Sequence, residues 1–275
     1  MSKQNPKTIF QKGSRTFYVS SLFFPKEVKR DVTNVYAFFR VVDDFVDAVP
    51  QKRREFETFI QKYYTAIQKN TKSTNAIIDA FIELQKTYSF KQEWVDAFIH
   101  SMRLDTQKSL YITRKQTAEY IYGSAEVIGL FMAKILKLPT QSQSYAKKLG
   151  FAFQYINMIR DIREDRNLKR QYIPQKVLQK AGLQSLQQKD IEQNVESFIR
   201  LIRSEITYYL KIQQEATKGF SYIPYRYRIP IKAASYSYEW TAKTIFKNPF
   251  ILFTKKVKPS KVRMIWFILK GALTK

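Results

Sequence analysis

Apolar residues recur at three- and four-residue steps through most of this chain, the period of helices that bury one stripe. Segments near 26–48, 51–69, 76–87, 91–107, 115–136 and 142–166 carry the pattern, and two more cover about 189–217 and 230–246. Breaks fall at Pro25, Pro50, the polar stretch Asn70 to Asn75, Phe90 and Pro139. A loop follows Arg166, and Pro174 and Gly182 punctuate the next stretch. There is no internal repeat and no low-complexity linker. The pattern predicts one all-α domain over residues 1–275, with eight or more helices. Residues 1–13 are polar and are expected to be loose. The end of the chain, 247–275, alternates basic with bulky apolar residues, including Phe250, Ile251, Leu252, Phe253 and the run from Met264 to Leu269.

Composition narrows the chemistry. Only 7 Gly and 9 Pro occur in 275 residues, which favours long helices over a turn-rich β fold, and no Gly-rich phosphate loop is present. With no Cys, disulfides, thiolate chemistry and cysteine zinc sites are excluded. His100 is the one histidine and reads as a helix-surface residue, so any metal here is a hard cation held by oxygen. Lys and Arg number 48 against 23 Asp and Glu, a formal charge of +25 that attracts polyanions: nucleic acid, anionic lipid or diphosphates. The N-terminus lacks a secretory apolar stretch, and no run approaches the ~20 apolar residues of a membrane span. The expectation is a cytoplasmic protein, peripheral to the inner face of the membrane. A basic tail with Trp266 and Phe267 suits contact with an anionic membrane interface; a terminal helix packed on the core, with a solvated basic face, is the plainer reading.

Against that basic background two acidic stripes stand out. In YAFFRVVDDFVDAVP, Tyr36, Arg40, Asp43 and Asp47 fall at i, i+4, i+7 and i+11, one face of a helix otherwise built of Val and Phe. In GFAFQYINMIRDIREDR, Gly150, Gln154, Asn157, Asp161 and Asp165 form a second stripe, with Arg160 and Glu164 at its edge. Like charges at i,i+4 cost roughly 0.2–0.5 kcal/mol in an isolated helix, and burial raises that cost. A divalent cation cancels the repulsion. Mg²⁺ takes a few carboxylate oxygens and completes its shell with water and phosphate oxygens. Two facing helices of this kind can therefore grip a diphosphate through Mg²⁺ and stabilise its charge as it leaves, with Arg40 and Arg160 in reach of its oxygens.

At these residues the chain resembles the squalene and phytoene synthase family. SRTFYVSSLFFP (14–25) resembles the family's S-x-[ST]-F segment, and YAFFRVVDDFVD (36–47) its first aspartate motif. YIYGSAEVIG (120–129) resembles its Y-x-Y-x-x-A-x-x-x-G helix. QYINMIRDIREDRNLKRQYIP (154–174) resembles the second motif, N-x-x-R-D-x-x-E-D, followed by R-x-Y-x-P. The resemblance implies a class I terpenoid-synthase-like helical bundle around a central cavity, joining two prenyl diphosphates head to head through a cyclopropyl diphosphate. It implies that Asp43, Asp47, Asp161 and Asp165 hold Mg²⁺, or Mn²⁺, with Asn157 a further ligand. Arg40, Arg160, Arg170, Tyr172 and Ser14 would contact diphosphate, and Tyr36, Phe17, Tyr120 and Gln154 would line the cavity. Such a cavity must be dry, since water quenches carbocations, and aromatic faces stabilise the cation. Two positions depart from the pattern: Lys169 stands where many relatives carry Gly, and Glu126 where a small or apolar residue is usual.

Squalene synthases also use NADPH and often end in a membrane anchor. This chain is short, shows no anchor, and its DDFVD motif is more similar to the phytoene and dehydrosqualene branch, so NADPH is not expected. The expectation is geranylgeranyl diphosphate as substrate and phytoene as product, with a C30 dehydrosqualene- or squalene-type synthase using farnesyl diphosphate as the alternative. The remote alternative is a basic nucleic-acid-binding module, suggested by the charge and the run Tyr225–Arg228; a groove binder has no use for two acidic stripes.

Overall fold

The computed structural model describes residues 5–13, 18 and 21–274. Helices α1 (Pro6–Gly13), α2 (Lys26–Asp47), α3 (Arg53–Lys69), α4 (Ala76–Thr87) and α5 (Gln92–Gln107) come first. Then α6 (Arg114–Ile121) passes through a wide turn, Tyr122–Glu126, into α7 (Val127–Ile135). After these come α8 (Gln143–Arg160), α9 (Ile162–Asn167), α10 (Gln175–Ala181), α11 (Gln188–Gln193) and α12 (Val195–Thr217). The chain ends with α13 (Tyr225–Lys247), α14 (Ile251–Thr254) and α15 (Lys261–Leu273). Among the described residues there is no strand beyond one isolated bridge, Leu110 to Gln171. The expected all-α bundle is what the chain forms.

Local chemistry sets the ends of these helices. α2 stops where Ala48 turns extended, one residue ahead of Val49, whose helical conformation Pro50 disfavours. Asn70 closes α3 in the left-handed region at φ 49°, a conformation Asn tolerates. The Asn75 side chain accepts from the amides of Ile77 and Ile78 to start α4, and Thr113 and Gln116 form a reciprocal capping box on α6.

The apolar residues form two clusters. One gathers α2 to α5 and α7 around Phe38, which stacks on Phe81 at 4.0 Å, and Phe39, edge-on to Phe98 at 4.4 Å. The other gathers α6, α8, α12 and α13 around Tyr155, Ile159, Phe198 and Tyr209. Glycine lets the two halves close. A Cβ on Gly150 would come within 2.4 Å of the Ala125 carbonyl, and one on Gly123 within 2.0 Å of the Ala97 carbonyl.

The structure departs from expectation in four places. Pro6–Gly13 is helical rather than loose, because Phe10 is buried against Tyr36, ring centroids 4.4 Å apart. The helix expected over 142–166 breaks at Asp161, whose φ of −98° and ψ of 16° leave the helical region. The ladder survives that break: the Asp161 amide still donates to Asn157 O and the Asp165 amide to Asp161 O, both at 2.8 Å. The helix expected over 189–217 is split at Asn194. The last long helix begins at Tyr225 and continues through Pro230.

Candidate active site

Both acidic stripes lie beside the seam between the two clusters. On α2, Arg40 donates to Asp43 at 2.8 Å and also pairs with Asp44, while Tyr36 packs on Phe10 with its hydroxyl pushed up to about 12 by burial. Asp47, at the end of α2, accepts from Arg170 at 2.6 Å. That one contact ties the first motif to the segment following the second. Arg170 is held in place: its other terminal nitrogen donates to Val46 O at 2.7 Å and to Asp105 O at 3.3 Å, and its backbone amide closes α9 on Asp165 O at 2.8 Å. The return loop passes through Lys169 at φ 56°, which gives the glycine of the family pattern a backbone reason.

On the second stripe, Arg160 grips Asp161 through two nitrogens, the first at 2.8 Å. Lys256, from the segment between α14 and α15, reaches Asp161 at 2.9 Å and Glu164 at 3.5 Å. The Asp165 carboxylate has no hydrogen bond or ion pair among the described residues. Gln154 sits half-buried one turn before Asn157, its side chain without a hydrogen bond among the described residues. Ser14 and Phe17 lie outside the described residues.

The structure adds an acid that the spacing did not suggest. Asp105, buried in the last turn of α5, accepts from Tyr120 at 2.6 Å and from Tyr172 at 2.7 Å, with Arg170 Nε 3.9 Å away. Thr117 donates to Tyr172 O at 2.8 Å and Ser101 to Tyr120 O at 2.9 Å, so both tyrosines are fixed at backbone and hydroxyl. The three rings of Tyr111, Tyr120 and Tyr172 pack with centroids 5.0–5.7 Å apart, Tyr111 stacked on Tyr172 and edge-on to Tyr120. The signal was present in the sequence: Phe98, Ser101, Met102 and Asp105 share the buried face of α5, an acid in apolar phase. Tyr238 and Lys256 were missed as well. Tyr238 packs on Phe153 at 4.5 Å, and the Asn157 amide and Arg160 hold down a hydroxyl pKa that burial raises. Nothing local marks either residue, since tertiary packing alone brings them there.

The acids differ in electrostatic state. Burial pushes Asp161 up, but Arg160 and Lys256 outweigh it and hold its carboxyl below the ordinary range. Asp165 is pushed up to about 8 and Asp43 to about 7, first by burial and then by neighbouring carboxylates. Asp105 rises to about 6 by burial, with Arg170 and the two tyrosines opposing. These under-neutralised acids lie within one field, since Asp165 feels Asp161, Asp105 and Asp47. Asn157 Oδ1 is buried with no hydrogen-bond donor among the described residues. The unpaired Asp165 carboxylate and an orphaned amide oxygen, with the Arg40-paired Asp43 beside Asp47, suit a hard divalent cation. As the side chains stand, no three acids among the described residues converge on one point; Arg and Lys side chains fill the gaps between them.

The profile of the squalene/phytoene synthase family matches residues 10–263. The chain belongs to that family. It is 25% identical to a chloroplastic phytoene synthase from an Oncidium hybrid over 94% of its length, and 22% identical to a phytoene synthase from Rhodobacter capsulatus over 98%. It spans 64% of the orchid protein and 80% of the bacterial one. Among solved structures, a ligand-bound dehydrosqualene synthase superposes with a TM-score of 0.83 at 22% identity, over 97% of this chain and 93% of that one. That likeness establishes the squalene/phytoene synthase fold for these helices.

Proposed function

We propose that this family member is a prenyltransferase that condenses two geranylgeranyl diphosphates head to head into phytoene, releasing both diphosphates. The observation that carries the reading is the Arg170–Asp47 contact, which brings the segment after the second motif onto the first. Asp43, Asp47, Asp161 and Asp165, with Asn157 Oδ1, would hold Mg²⁺. When bound, Mg²⁺ supplies positive charge to the departing diphosphate.

The chain's own residues supply the rest. Arg40 and Arg160 stand at the two acid pairs, where their guanidinium groups can take diphosphate oxygens as those acids turn to the cation. Arg170, bonded to Asp47, Val46 O and Asp105 O, holds Asp47 and, with Asp105, positions Tyr120 and Tyr172. The packed tyrosines exclude water and present aromatic surface to a carbocation. NADPH has no part in a reaction that ends at phytoene, because the second ionisation closes by proton loss rather than hydride gain.

Farnesyl diphosphate, giving a C30 product, is the second reading, favoured by the superposition on the dehydrosqualene synthase. Purified protein with Mg²⁺ and each diphosphate, assayed for hydrocarbon by mass spectrometry, separates the two. C40 product from geranylgeranyl diphosphate is expected; C30 product alone refutes the substrate assignment, and no product from either refutes the reaction.

A further inference from the structure

Helix α15 carries a second apolar face that no described residue covers. Val262, Ile265, Trp266, Leu269 and Leu273 are 77%, 59%, 54%, 56% and 85% exposed. Their spacing, i, i+3, i+4, i+7 and i+11, places them in one stripe. The opposite side is anchored: Phe267 and Gly271 are buried, and a Cβ on Gly271 would meet the Ile229 carbonyl of α13 at 2.9 Å. Ser260 caps the helix, and Tyr225 donates to Ala272 O at 2.7 Å at its far end. The stripe is thus held rigidly outward by a docked helix. The exposed Tyr225 extends it at that end.

Charge says what fits there. Lys261, Arg263 and Lys270 flank the stripe, Arg263 lying over the Trp240 ring at 4.5 Å and Lys270 over Trp266 at 5.4 Å. Lys255 and Lys258 precede it, and no acid occurs from Ile251 to Lys275. A second copy of the same face would bring cation against cation. No described helix is long and apolar enough to cross a membrane. An apolar stripe with a central tryptophan and cationic flanks matches the interface of an anionic bilayer, where the stripe enters the acyl boundary and the cations meet phosphates.

We propose that α15 docks this face on an anionic membrane surface. The proposal rests on the prenyl diphosphate reading for its purpose: Lys256, just upstream of α15, touches Asp161 and Glu164, so docking sets the acid site beside the lipid phase that holds the prenyl chain.

The test uses the full chain with phosphatidylcholine vesicles, with and without phosphatidylglycerol. Trp94 is buried and Trp240 half-buried, so Trp266 should dominate a blue shift of emission on adding anionic vesicles. The double variant Trp266→Glu, Leu269→Glu should lose at least tenfold in partition coefficient in flotation, with an unchanged melting temperature because both residues are exposed. Lys255→Gln with Lys261→Gln should bind more weakly and with a shallower salt dependence. Binding of the Glu variant equal to wild type, or no wild-type binding to either vesicle, overturns the proposal. So does a wild-type dimer in light scattering that the Glu variant abolishes. Turnover with substrate in detergent micelles should be unaffected by these variants. No turnover by wild type, with vesicle binding intact, counts against the condensation reading alone.

Discussion

Replacing Asp105 by alanine removes the acceptor of two tyrosine hydroxyls at once. Tyr120 donates to it at 2.6 Å and Tyr172 at 2.7 Å, all three side chains are buried, and Arg170 Nε, itself without a hydrogen-bond partner, is 3.9 Å away. Breaking one side of a buried charged network of this kind costs about 3–5 kcal/mol. In a protein of this size that is a fall in Tm of roughly 6–15 °C. Asp105→Asn should behave differently. It keeps the shape and one acceptor oxygen, and it removes a charge that burial disfavours, shown by a carboxyl pKa raised to about 6. Its loss should stay below about 1 kcal/mol. Thermal unfolding followed by circular dichroism at pH 7 measures both. An alanine variant melting within about 2 °C of wild type would refute the claim that Asp105 fixes the tyrosine wall; by the size scaling that shift is under about 1 kcal/mol.

Three further outcomes can be checked. Arg170→Lys keeps the charge but cannot span Asp47, Val46 O and Asp105 O together, so turnover should fall by roughly 10- to 100-fold with the substrate KM rising less than kcat falls; steady-state kinetics read this, and full activity would contradict it. Gly150→Ala should destabilise by about 1–3 kcal/mol in urea unfolding despite alanine's better helix propensity, because its Cβ meets the Ala125 carbonyl at 2.4 Å; a stabilised variant would show that the crossing is looser than described. Burial raises the Glu126 carboxyl above its ordinary range, with Lys147 at 4.0 Å opposing. The folded state therefore holds that proton longer than the unfolded chain, and stability from this site falls as pH rises through the carboxylate range. Glu126→Gln should gain in Tm over wild type as pH rises through the carboxylate range to neutrality; a pH-independent difference would contradict the burial argument.

The helices were readable because the chain has few Gly and Pro and keeps one helical period over long stretches. The acidic stripes were readable for the same reason: Asp43 and Asp47, like Asp161 and Asp165, are local in sequence. What was hidden is what packing alone creates. Asp105 belongs to no spacing motif, and its role appears only when α5, α6 and the loop at Arg170 converge. Lys256 comes from a tail whose composition speaks of surface, yet it ends on Asp161. The helix Pro6–Gly13 was misread because its sequence is polar apart from a few positions, and Phe10 finds its ring partners, Tyr18 and Tyr36, only through packing. The tail reading was half right about packing: α15 docks on α13, but the face it leaves outward is apolar as well as basic.

The central claim is that the two acidic motifs form one Mg²⁺-dependent site that releases diphosphate. Diphosphate release from geranylgeranyl diphosphate should be measured for wild type, Asp43→Ala and Asp161→Ala, each checked for an intact helical circular dichroism signal. Wild type should release two diphosphates per phytoene formed, only with Mg²⁺ present, and each variant should lose roughly a hundred- to a thousandfold in rate, as removal of one charge-stabilising group does elsewhere. Near-wild-type release by either variant, or release by wild type without a divalent cation, would contradict the account.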